Sequence, residues 1–145
     1  MRHLAIASVI VVSSLHCNAQ VPAVLGKCIV ANITASDRHD LARWVFLSMA
    51  AHPEVKQFSN ARADAADAAA RKVGALFTRT MRDECAEAVQ AAARAEGPPV
   101  VPSAINFFTQ LGVQELMTNR DVLTTLSSFS QFADREGIDR TVRVK

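Results

Sequence analysis

The chain predicts an all-α, single-domain fold: an orthogonal or irregular bundle of five to six helices, stapled by one disulfide and preceded by a cleaved signal peptide. Three observations carry this expectation. Long stretches are rich in Ala, Leu, Arg and Glu, which favour helix, while the 145 residues include no tyrosine and only five glycines. Apolar residues recur at three- and four-residue intervals, and no stretch alternates convincingly as a strand does. Residues 1–19 have the layout of a secretory leader.

That leader is read from three parts. Met1-Arg2-His3 is a short positive start, and Leu4 to Leu15 is an apolar run softened only by Ser8, Ser13 and Ser14. Cys17-Asn18-Ala19 then places small residues at the −3 and −1 positions of a cut after Ala19. The run is about a dozen residues, short of the roughly 20 that a membrane-spanning helix needs. Lipid attachment at Cys17 is disfavoured, because His16 stands where a small residue is normal. The expected organisation is therefore a signal peptide at 1–19, a helical domain at 20–137 and a loosely ordered basic tail at 138–145. The expected location is periplasmic or secreted, with no stable membrane insertion after cleavage.

Cleavage also simplifies the cysteines. Of the three in the chain, Cys17 leaves with the leader, and Cys28 and Cys85 remain. Two cysteines in an exported chain are expected to form a disulfide. Closing so long a loop is worth about 4 kcal/mol in the chain-entropy account.

The first helix is expected from Pro22 to about Ala31, with Val24, Leu25, Cys28 and Ile29 on one face. The second should start at a Ser36 or Asp37 cap and end at His52-Pro53. From Trp44 to Ala51 all its residues are apolar or small, the pattern of a helix surrounded by others. This places the centre of the core at Trp44, Val45, Phe46 and Met49, with Phe77, Phe108 and Leu126 contributed by other helices. A short segment from Pro53 to Phe58 leads to an Asn60 cap and a long helix from about Ala61 to Arg82. Cys85 marks its bend or break. An Ala-rich helix follows to Glu96 and is stopped by Gly97-Pro98-Pro99. Ser103 is expected to cap a helix from Ala104 to Thr118. The last helix should run from Asn119 or Arg120 to Glu136, with Val122, Leu123, Leu126, Phe129, Phe132 and Ala133 sharing a face.

Composition and motifs exclude several function classes. Lys and Arg number 16 against 14 Asp and Glu, and loss of Arg2 brings the chain still closer to neutral, unlike a nucleic-acid binder. Outside the leader only His39 and His52 remain, neither with a His or Cys at ligand spacing, so no metal site and no cofactor are expected. There is no G-x-S-x-G elbow and no glycine-rich phosphate loop. His39 is expected to be solvated, and His52 to bond the last carbonyls of the second helix.

One residue breaks the pattern. Glu115 falls inside the apolar arc of its helix, between Leu111 and Phe108 on the wheel. A carboxylate there must be paired, protonated or at an exposed end. The expectation is a buried ion pair with Arg43, which borders the core helix, in preference to a catalytic acid.

Cys28-Ile29-Val30, Asp37-Arg38, Leu41-Ala42-Arg43-Trp44-Val45-Phe46, Met49-Ala50, His52-Pro53-Glu54 and Gln114-Glu115-Leu116-Met117 together carry a likeness. The chain resembles a group of small exported α-helical proteins of bacteria that have no established activity. The resemblance implies a bacterial envelope and lends no functional residue. The expected function is non-catalytic: a binding or protein-interaction module, of inhibitor or immunity type, whose partner is another exported protein. A carrier of a small apolar ligand between helices is the alternative.

Overall fold

The computed structural model describes residues 21–143, so the expected leader at 1–19 lies outside the described residues. The described residues are helical and contain no strand. Eight α-helical segments form, where five to six were expected. The order is α1 (Ala23–Asn32), α2 (Ala35–Met49), α3 (Pro53–Lys56), α4 (Ala63–Thr78), a π-helical turn (Arg79–Glu84), α5 (Ala86–Glu96) and α6 (Val100–Thr118). A C-terminal arm follows, made of α7 (Arg120–Ser127), a 3-10 turn (Ser128–Phe132) and α8 (Arg135–Val142).

Capping chemistry moves two of the expected boundaries. α2 starts at Thr34, not at Ser36 or Asp37. The Thr34 hydroxyl accepts from the Asp37 amide at 3.2 Å, and the Asp37 carboxylate accepts from the Thr34 amide at 2.9 Å. α6 starts at Val100, four residues before the expected Ala104. Pro99 and Pro102 are tolerated there because first-turn residues need no amide donor. Ser103 therefore lies inside the helix, buried, with its hydroxyl donating to the Pro99 carbonyl at 2.9 Å.

The expected long final helix divides. The Ser127 and Ser128 hydroxyls donate back to the carbonyls of Leu123 and Thr125, each at 2.7 Å, which competes with helix propagation. Asp134 then caps a new helix by accepting from the Gly137 amide at 2.9 Å. The basic stretch from Ile138, expected to be loosely ordered, is helical through Val142.

α2 is the hub, packing most extensively on α6 and then on α4. The core joins Leu25 and Ile29 of α1, Leu41 of α2, Val73 and Leu76 of α4, and Ala104, Phe108 and Leu111 of α6. Phe77 meets Phe108 edge to face, with ring centroids 5.2 Å apart.

The expected core is corrected in part. Val45 and Phe108 are buried, and Trp44 and Phe77 are half-buried against the core. Phe46 and Met49 are 52% and 54% exposed, and Leu126 is 52% exposed. α2 packs on α4 and α6, while Phe46 and Met49 of its apolar run stay exposed among the described residues.

Candidate functional site

Cys28 and Cys85 are joined, with their Cα atoms 5.9 Å apart. The bond ties α1 to the junction between the π turn and α5. Asn32 supports it from one turn along α1: its Nδ2 donates to the Cys28 carbonyl at 2.9 Å and lies 3.6 and 3.7 Å from the two sulfurs. Beside the bridge runs an open groove of about 710 Å3, lined by Val24, Asp83, Glu84, Glu87, Ala91 and Arg94 among others. Two of its carboxylates are already engaged. Asp83 pairs with Arg82 at 2.7 Å, and Glu84 pairs with Arg79 at 3.0 Å.

The π turn is the least regular backbone near this groove. The Cys85 amide donates to the Thr80 carbonyl at 2.8 Å, a five-residue step that offsets α5 from α4. Thr80 is fully buried, and its hydroxyl finds no partner. Leaving such a group unsatisfied costs about 1–3 kcal/mol.

The expected Glu115–Arg43 pair does not form. Arg43 bonds Asp40, one turn before it in α2, at 3.2 Å. Glu115 instead faces His39, with Oε1 3.6 Å from Nε2, because α6 runs antiparallel to α2 and brings its last turns alongside the start of α2. Neither group is deeply buried: the His39 side chain is 69% exposed and that of Glu115 27%. A histidine beside a carboxylate is half of a general-base arrangement. Here the separation exceeds a hydrogen bond and the imidazole sits in solvent, so the contact reads as a weak surface ion pair. His52 does not bond the carbonyls of α2 through its ring. Its Nδ1 accepts from the Glu54 amide at 3.2 Å and caps α3.

Charge is organised where α2 meets α4. Arg79 reaches Asp37 at 2.9 Å, and Lys72 reaches Asp40 at 3.1 Å. Partial burial pushes the Asp37 carboxyl up. The Thr34 hydroxyl and amide and the Arg79 guanidinium outweigh that and hold it below the ordinary carboxylate value. Among the described residues, no group of three or more His, Cys, Asp or Glu side chains is placed to hold a metal ion. None of the described helices is long and apolar enough to cross a membrane.

The prominent surface features are apolar. At the corner between α2 and α3, Phe46 and Met49 are joined in sequence by Val55, 42% exposed, and Phe58, 83% exposed. The C-terminal arm carries a second set, with Phe129 at 71% and Phe132 at 84%. The unbroken apolar run from Trp44 to Ala51 places Phe46 and Met49 in the core, and amphipathic spacing places Leu126 there, but neither pattern says whether anything covers the face.

Comparison with known proteins gives no matching family model, no matching curated protein and no matching solved structure.

Proposed function

We propose that this chain is a non-catalytic, exported protein-interaction module of the bacterial cell envelope, of the kind that covers another exported protein as an inhibitor or immunity partner does. The observation that carries the reading is the set of exposed apolar side chains Phe46, Met49, Val55 and Phe58, close in sequence at the end of α2 and around α3. Grouped exposed apolar side chains mark interaction surfaces, whereas single ones are ordinary. The Cys28–Cys85 bridge supports the location, since disulfides persist in oxidising compartments. The leader read at residues 1–19 and the resemblance to exported bacterial proteins point the same way.

The alternative, a carrier of a small apolar ligand, gains nothing from the groove beside the disulfide, which is open and edged with carboxylates. A pull-down from envelope extract tests the main reading. The parent protein should retain a partner that the combined Phe46→Asp and Phe58→Asp variant loses. Identical capture by both, or none by the parent, rejects it.

A further inference from the structure

We infer that the C-terminal arm, residues 119–142, is a self-association surface that pairs with the same arm of a second copy of this chain. The arm is attached to the body only at its root. α7 packs on α6 and on the 3-10 turn that follows it, and neither α7 nor α8 has a substantial contact with α1, α2, α4 or α5. Along it, Leu123, Leu126, Phe129, Phe132, Ile138 and Val142 are between 47% and 84% exposed. α7 and α8 have eight residues each. Isolated helices shorter than roughly 12–15 residues are marginal in water, and most helical stability comes from a covered apolar face. Such an arm needs a surface to hold its shape against, and among the described residues no other helix beyond α6 supplies one.

Charge and area select the occupant. Between residues 119 and 142, Arg120, Arg135 and Arg140 stand against Asp121, Asp134, Glu136 and Asp139, so the arm carries both signs with little net charge and no basic excess. An arm carrying both signs suits a two-fold contact, in which each copy offers the other its complement. An anionic membrane surface would instead select a basic excess. A buried aromatic covers 150–250 Å2, so two phenylalanines and four aliphatic side chains offer on the order of 600 Å2 per copy. A reciprocal pair doubles that and reaches the lower edge of the roughly 1,200–2,000 Å2 found in stable interfaces. The surface is separate from the Phe46 corner, so this inference and the partner reading can fail independently.

Light scattering on the eluting protein, up to about 100 µM, tests it. The parent should show twice the mass of one chain, and Phe129→Asp combined with Phe132→Asp should halve it. Leu126→Arg alone should weaken the dimer at least tenfold in dissociation constant, with circular dichroism confirming that the body stays folded. Phe46→Asp should leave the dimer intact. A parent that remains monomeric at the highest concentration overturns the inference, and so does a dimer that survives both arm variants. A monomer that sediments with phosphatidylglycerol vesicles also overturns it, assigning the arm to a lipid surface.

Discussion

Gly112 fixes the distance between the two most extensively packed helices. A Cβ there would lie 2.8 Å from the Leu41 carbonyl oxygen and 2.8 Å from Val45 Cγ2, and backbone cannot swing aside as a flexible side chain can. Gly112→Ala should therefore destabilise the protein by about 1–3 kcal/mol of overpacking, despite the better helix propensity of alanine. Gly74 is the internal control: its added Cβ would meet nothing within 4 Å, and Gly74→Ala should stabilise by about 0.5–1 kcal/mol. Denaturant midpoints of the two variants, moving in opposite directions, check the pair; equal shifts would remove the close-approach account. Nothing local in the sequence marks Gly112 as a point of close helix approach. That a backbone carbonyl of α2 presses against it is set by residues some 70 positions away in the chain.

At the scale of elements, the start of α2 shows how local and distant chemistry combine. The Thr34–Asp37 exchange is local, and the T-x-x-D spacing contains it. Arg79 reaches the same carboxylate only because α4 lies alongside. Since the folded Asp37 carboxyl titrates below its ordinary value, its contribution is complete above the unfolded value and fades as pH falls through the lower, folded one. Asp37→Asn should cost about 1 kcal/mol at neutral pH, and the melting temperatures of parent and variant should converge below about pH 4. A gap that stays constant into acid would show that the carboxylate charge is not what holds this helix start. The C-terminal arm gives the contrary case. Its apolar spacing reads as one long helix, yet serine hydroxyls bonding back to the carbonyls and the Asp134 cap divide it, and no neighbouring helix enforces continuity.

At the scale of the whole molecule, the Cys28–Cys85 bond joins α1 to the π turn and α5 on which it packs, across a sequence separation of 57. Replacing both cysteines by alanine should lower stability by about 2–4 kcal/mol, with α1 losing amide-exchange protection first. Undiminished protection in α1 would mean that packing of Leu25 and Ile29 alone holds it. Composition and apolar spacing together determined the helical class, because Ala-, Leu-, Arg- and Glu-rich stretches favour helix and no stretch alternates as a strand does, and counting cysteines outside the expected leader left a single pairing. Val45 and Phe108, both expected in the core, are buried. Tertiary structure decided the rest. It turned Phe46, Met49 and Leu126 outward, gave Glu115 to His39 and Arg43 to Asp40, and left the C-terminal arm exposed among the described residues. Helical periodicity states which side chains share a face, but only the arrival of another helix decides which face is dry.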